Sequence, residues 1–293
     1  MTISDPSAAT STADIRPTRH ESFLAYDHFR HLKWATVLVL FAIVIYVAVR
    51  PYGTPYGGGW AGYTLGTIGA FLILWLTWFG YRKRNYAENH GRLAARLSAH
   101  VYFGGALFFV ATLHTGFHFG WNIHTLAYAL MCIVIASGVY GVFTYARYPR
   151  LMTDNRDSMT TVQMLGRIAG IDDELRSATM PLDDATVAVV GRAISATAVG
   201  GSAWRQLTGR YPGCTTAMAI AHMEAHASEV PLALQEPWRL TRLKLSEKET
   251  LLARIRSDIR YKALMEIWLY LHVPLTFALI AALTAHIISI FYL

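Results

Sequence analysis

The sequence predicts an all-α integral membrane protein: a helical bundle of five spans, with a helical cytoplasmic insertion between spans four and five. Three observations predict this class. The 293-residue chain is 54% hydrophobic and only 15% charged, whereas soluble domains carry about 25% charged residues. Asp, Glu, Lys and Arg are absent from residues 61–80, 97–146 and 267–293. A bilayer core of about 30 Å needs roughly 20 apolar residues of helix, so each stretch can cross it.

The five spans follow in chain order. An apolar segment between Lys33 and Arg50 predicts the first span. The fifty uncharged residues of 97–146 are interrupted by the aromatic segment GFHFGWNIH, so they predict two spans joined by a turn. The expected spans are 33–51, 61–81, 97–119, 124–146 and 267–291. Residues 1–32 are expected to form a flexible N-terminal tail and an interfacial segment, 33–146 spans one to four, 147–266 the insertion, and 267–293 span five.

The distribution of positive charge predicts the orientation. Cytoplasmic loops of membrane proteins are enriched in Lys and Arg. With five spans, only Arg50 of the 26 Lys and Arg residues falls on the side of the uncharged loops. We therefore expect a multi-pass protein of the cell (inner) membrane, with its N-terminus in the cytoplasm and its C-terminus outside. The net charge of +7 then reflects topology, so membrane lipid is an expected partner and nucleic acid is not.

The insertion, 147–266, is polar and has helical patterning. Asp183 is placed to begin one helix, and TTAMAIAHMEAHASEV predicts another. Ser246 and Glu249 have the spacing of a capping box, after which the pattern runs without a break into span five. The final helix is therefore expected to project from the membrane as one rod, and the insertion to offer a docking surface for redox subunits.

The histidines of spans three and five carry the functional prediction. His100 and His114 are separated by 14 residues, as are His272 and His286. On an α-helix, 14 residues rise about 21 Å and complete four full turns minus about 40°, so the two histidines of each pair share one face. Spans three and five run in the same direction, which brings His100 level with His272 and His114 level with His286. His118 is the alternative to His114 as the partner of His286 at the outer level, but it lies about 6 Å further along the helix than His114.

Two facing pairs of imidazoles are the ligands that two flat iron porphyrins need. A single histidine in a span can instead form a hydrogen bond between helices, but identical spacing on parallel spans favours axial ligation of two haem b groups. Gly104 and Gly105 lie where a macrocycle could approach the backbone. Arg92 and Arg96 could pair with propionates of the inner haem, although positive-inside anchoring explains them equally well. His118 and His124 are expected at the outer surface, beside propionates or a partner.

Histidines 14 residues apart on the third and fifth spans resemble the transmembrane domain of ferric reductases and NADPH oxidases. More broadly, they resemble the two-haem b-type cytochromes, including the cytochrome b561 group and the cytochrome b subunits of respiratory oxidoreductases. The resemblance covers the haem core and the positions His100, His114, His272 and His286. It implies electron transfer across the membrane within an oxidoreductase complex, with a quinone as a further candidate cofactor.

The chain also departs from these families. Ferric reductases usually have six spans and a second half that binds flavin and nicotinamide. This chain has five predicted spans and is too short for such a half, and its insertion does not match the pattern of these families. We therefore expect an electron-transfer subunit that relies on redox partners on the cytoplasmic face, with the outer face as a second candidate docking side. The alternatives are a metal-ion transporter and a haem-free scaffold subunit. A transporter needs carboxylates along its path, and the charge-free cores of the spans contain none.

Overall fold

A computed structural model describes residues 23–49, 58–82, 90–157 and 159–292 of the chain. These residues form helices and connecting turns, and no strand occurs among them. The helices are α1 (Tyr26–Val49), α2 (Trp60–Arg82), α3 (His90–Thr115), α4 (Ile123–Arg156), α5 (Thr161–Thr179), α6 (Asp184–Ser195), α7 (Ala203–Thr208), α8 (Thr215–Ala225) and α9 (Gln235–Tyr292). The predicted flexible tail falls mostly on residues 1–22, which lie outside the described residues.

Five of the helices are long and apolar enough to cross a membrane: α1, α2, α3, α4 and α9. Their outward faces carry large exposed apolar side chains such as Val44, Phe71 and Phe277. An apolar surface of this extent is unusual on a soluble monomer and is what lipid tails cover. The structure therefore supports the predicted all-helical membrane protein with five spans.

The bundle is built from two packed groups of helices. In the first, α1 and α2 both pack along α3; in the second, α4 packs along α9. Within the described residues, α3 and α9 make at most marginal direct backbone contact: α1 and α2 supply most of the packing around α3, and α4 supplies most of that around α9. The two helices that carry the paired histidines therefore face each other across a gap bridged by side chains.

An apolar layer lies halfway between the two levels of paired histidines. Leu107 is seven residues from each of His100 and His114, and Leu279 is seven residues from each of His272 and His286. Both leucines are 3% exposed and belong to one cluster with Leu72 of α2 and Met131 of α4. Together with the contacts of His100 with His272 and of His114 with His286, this shared midpoint shows that α3 and α9 run in parallel with matched register, as the histidine spacing predicted.

The last helix begins earlier than the sequence indicated. α9 runs without interruption from Gln235 to Tyr292 and has 58 residues, about 87 Å at 1.5 Å per residue. The expected single rod is therefore present. The helix start predicted at Ser246 is wrong, because Pro237 occupies the first turn, where its missing N–H is not needed, and the helix is already established before the capping-box pattern.

The third span ends earlier than expected. α3 stops at Thr115 rather than at residue 119, because Gly116 (φ 57°) and Phe117 (φ 62°) adopt left-handed backbone conformations. Glycine enters this region without strain, and one such residue ends a helix. The chain then turns through 117–122 to Asn122, whose side chain accepts a hydrogen bond from the Thr125 amide and caps α4.

The insertion has a hydrophobic core of its own. It is formed by α5, α6 and α8 packed on the first half of α9, with Ile171, Val190 and Met223 fully buried. Asp183 caps α6 by accepting hydrogen bonds from Thr186, which confirms the helix start predicted there. Lys248 of α9 is fully buried and donates to Asp172 (2.5 Å) and to the carbonyl of Ala193 (2.8 Å).

Candidate functional site

The structure brings the four histidines together in the two pairs that their spacing suggested. The ring centres of His100 and His272 are 6.5 Å apart, with 59° between the ring planes. The ring centres of His114 and His286 are 6.0 Å apart, with 86° between the planes. Each pair joins α3 to α9, and the apolar layer at Leu107 separates the two levels. The two sites are therefore stacked along the bundle.

These separations can be compared with the size of a metal ion held by two imidazoles. Imidazole nitrogen lies about 2 Å from a bound transition metal, and the ring centre lies about 1.1 Å behind that nitrogen. Two such ligands on opposite sides of one ion therefore place their ring centres about 6.3 Å apart. Both observed separations lie within about 0.3 Å of this value. The spacing at each level therefore fits bis-imidazole ligation of one iron ion.

His114 is held in a single orientation by α2. Its Nδ1 lies 2.8 Å from the carbonyl oxygen of Gly62, which can only accept, so Nδ1 carries the proton. The unprotonated nitrogen of the neutral ring is then Nε2. Gly66, one turn further along α2, leaves room for the ring, because a Cβ at this position would lie 2.8 Å from His114 Cε1. The two glycines thus fix both the tautomer and the position of the imidazole.

His272 has an equivalent arrangement with α4. Its Nδ1 lies 2.8 Å from Ser137 Oγ, and this hydroxyl lies 2.7 Å from the carbonyl of Val134. A hydroxyl has one proton, and the carbonyl can only accept it, so Ser137 accepts from His272 Nδ1–H. The lone pair of His272 is therefore on Nε2. Hydrogen-bonded Nδ1–H groups of this kind are typical of metal-binding histidines.

Trp268 lies beside the pair formed by His100 and His272. Its ring is 5.1 Å from that of His272 and packs flat against Gly141 of α4, where a Cβ would approach within 3.1 Å. The indole N–H is buried, and no acceptor for it occurs among the described residues. A buried donor without an acceptor costs stability. A carboxylate of a bound group, such as a haem propionate, would supply the missing acceptor.

The remaining candidate residues occupy different surroundings. Arg96 is half-buried on α3, one turn before His100, whereas the side chain of Arg92 lies outside the described part of the chain. Gly104 and Gly105 have open space where a Cβ would project. His118, the alternative outer residue, is exposed and lies beyond the end of α3, so it is not on the helix that carries His100 and His114. His124, at the start of α4, contacts His286 through the two Nδ1 atoms.

A small, partly open groove lies beside the His114 level, lined by Tyr46, Val49, Gly59, Ala61, Gly62, Leu65 and Leu113. Its walls are almost entirely apolar. A quinone head group needs hydrogen-bond donors near its carbonyl oxygens, so this groove suits an acyl chain better than a quinone. The quinone considered from the sequence remains a prediction.

The described residues contain no group of three or more His, Cys, Asp or Glu side chains arranged to hold a metal ion. His222 and His226 do not form such a group either: their ring centres lie 4.4 Å apart with 37° between the planes, and His222 contacts Thr186. A pair of histidines is a poor site for a bare metal ion, because a four-coordinate site needs more protein ligands. An iron porphyrin brings four nitrogen ligands of its own and needs only two from the protein.

Sequence reasoning missed four residues that shape these sites: Gly62, Gly66, Ser137 and Trp268. Ser137 could have been suspected, because a hydroxyl inside an apolar span usually has a partner. The carbonyl of Gly62 has no sequence signal, since every residue carries one. None of the known protein families, curated proteins or solved structures matches this chain. The interpretation of the site therefore depends on its geometry and chemistry.

Proposed function

We propose that this protein moves single electrons across a membrane through two bis-histidine b-type haems, as the cytochrome b subunit of an oxidoreductase complex. The observation that carries the proposal is the pair of stacked His–His sites, at ring separations of 6.5 and 6.0 Å. Their spacing suits iron between two imidazoles, and at each level at least one ring is oriented by an Nδ1–H hydrogen bond to a neighbouring helix. Haem iron, when bound, accepts and releases one electron at a time.

The chain's own residues have distinct roles in this proposal. His100 and His272 supply the axial nitrogens of one site, and His114 and His286 supply those of the other. Ser137 and the carbonyl of Gly62 hold two of these rings in the tautomer that presents Nε2. A hydrogen bond from the second ring nitrogen also makes an imidazole a stronger ligand.

The apolar layer between the sites has a role as well. Fourteen residues of α3 separate the two levels, or about 21 Å along the axis. Leu107 and Leu279 fill the middle of this distance and are buried with Leu72 and Met131. An apolar layer of this kind keeps water and ions from crossing the bundle, while electrons can still pass between the two sites. The leucines thus block the passage of ions through the bundle without blocking electron transfer between the two sites.

The experiment that tests the proposal is a reduced-minus-oxidised visible spectrum of the purified full-length protein, together with its haem-to-protein ratio. We expect two b-type haems per chain. His100→Ala and His272→Ala should each remove one haem, and His114→Ala and His286→Ala should each remove the other. His222→Ala, on a helix of the insertion, is the matched control and should keep both. A wild-type protein without haem, or alanine variants that all keep two haems, would contradict the proposal.

The proposed orientation places the N-terminus and the insertion in the cytoplasm and the C-terminus outside. Its support is the positive-inside rule, since the two loops predicted to face outside carry no acidic residue and only Arg50 as a basic one. A reporter fused after Leu293 should be active outside, and one placed near residue 200 should be active inside. The opposite labelling at either position would reverse the proposed direction of the bundle.

A further inference from the structure

His124 has a closer relation to the His114–His286 level than its place on the surface suggested. It lies in the first turn of α4, where Asn122 caps the helix. Its ring centre is 4.5 Å from that of His286, at 87° between the planes. The contact between the two side chains joins Nδ1 of one to Nδ1 of the other. His286 therefore has an imidazole as the partner of its second nitrogen.

Only two proton arrangements satisfy this contact between neutral rings. If His124 donates, His286 carries its proton on Nε2 and cannot bind a metal ion through that atom. If His286 donates from Nδ1, its lone pair is on Nε2, and His124 carries its own proton on Nε2 at the exposed surface. The second arrangement repeats the pattern at His114 and His272, where Nδ1 donates to Gly62 and Ser137.

We infer that His124 is a positioning residue for the outer site, the pair His114 and His286. It accepts the Nδ1–H bond of His286 and so leaves His286 Nε2 unprotonated, the form in which it would bind haem iron. The inference rests on the proposed function. A ligand that donates through its second nitrogen becomes more basic, and a more basic imidazole stabilises ferric over ferrous iron. His124 therefore lowers the midpoint potential of the outer haem. It leaves the inner haem unaffected because, among the described residues, the ring of His124 contacts the ring of His286 alone.

The test compares three substitutions at His124 in the full-length protein. His124→Ala removes the acceptor, His124→Gln offers a neutral amide oxygen, and His124→Glu offers a carboxylate. The readouts are a potentiometric titration followed at the haem absorption bands and the low-spin ferric EPR spectrum. Leu126→Ala, an exposed position on the same helix, is the matched control and should resemble wild type. The outer signal is identified as the one that His114→Ala removes.

We expect His124→Ala to raise the midpoint potential of the outer haem alone and to move its EPR signal. His124→Gln should return both toward wild type, and His124→Glu should lower the potential below the His124→Ala value. Two results would overturn the inference: unchanged potentials and EPR signals in all three variants, or loss of the outer haem in His124→Ala while His286→Ala retains it. The latter would make His124 the ligand. A wild-type protein without haem would instead overturn the proposed function.

Discussion

Gly66 gives the sharpest test of the outer site, because a single methyl group there meets the imidazole of His114. A Cβ at Gly66 would lie 2.8 Å from Cε1, 3.1 Å from Nδ1 and 3.3 Å from Nε2 of that ring. Carbon atoms in good contact are separated by about 3.5–4.0 Å. In Gly66→Ala, the His114 ring must therefore move by about 0.7 Å or more. This movement also disturbs the 2.8 Å hydrogen bond from His114 Nδ1 to the Gly62 carbonyl.

A movement of this size is large for a metal ligand. Metal–ligand distances are held to about 0.2 Å in well-formed sites, so a displacement of about 0.7 Å removes His114 from productive geometry. Loss of an orienting hydrogen bond alone typically costs 10–100-fold in metal affinity. We therefore expect Gly66→Ala to lose the outer haem, or to bind it at least about tenfold more weakly, and to retain the inner haem at its wild-type potential.

Gly69→Ala is the matched control on the same helix. The nearest atom to a Cβ there is Leu107 Cδ1 at 3.9 Å, an ordinary contact. Glycine-to-alanine changes inside a helix generally stabilise it by about 0.5–1 kcal/mol, so neither variant should weaken α2. The assay is the haem-to-protein ratio with a redox titration. Two haems at unchanged potentials in Gly66→Ala, or equal haem loss in both variants, would refute the reasoning.

Three further predictions concern other parts of the chain. Ser137→Ala removes the acceptor of His272 Nδ1–H, so the inner haem should be bound about 10–100-fold more weakly, measured by haem loss on dilution; wild-type retention would contradict this. Lys248→Ala leaves the Asp172 carboxylate without its partner, which should lower the stability of the insertion by about 3–5 kcal/mol; thermal melting should show it, and Lys248→Met combined with Asp172→Asn should recover much of the loss. Burial acts to raise the pKa of the Cys214 thiol, but the Ala217 amide and the Arg256 guanidinium outweigh it and hold the pKa below its ordinary value. In a Cys132→Ser background, alkylation by iodoacetamide at pH 7 should therefore be faster than that of a thiol of ordinary pKa, and Arg256→Gln should slow it at pH 7 but not at pH 10.

Spacing was the part of the sequence that predicted most of the structure. The intervals from His100 to His114 and from His272 to His286 are properties of helices, whose rise and turn are fixed by backbone geometry. They therefore placed the two pairs before any contact was known. The same holds for the spans, because the length of an apolar helix must match the thickness of a bilayer.

The boundaries and the partners of the histidines could not be predicted in this way. α3 ends at Thr115 because two successive residues, Gly116 and Phe117, turn left-handed, and phenylalanine carries no signal for that conformation. The capping-box pattern at Ser246 is overridden because α9 already packs against the core of the insertion from Trp238 onward. The contact of His124 with His286 depends on where the turn after α3 places the start of α4 relative to α9, which is determined by tertiary packing.

The long shared helix also limits where an electron donor can act. About 48 Å of α9 separates its start at Gln235 from the beginning of the predicted fifth span at residue 267, and electrons tunnel only over short distances. A donor on the far end of the insertion would be too remote from His272. The base of the insertion is better placed: there Tyr148 and Tyr261 stack at 5.4 Å, and Asn155 and Arg156 of α4 bind Asp258 of α9. These contacts fix α4 to α9 just before both enter the apolar bundle. In the proposed function, the far end of the insertion therefore serves to hold a partner, while the redox centre of that partner has to reach the base.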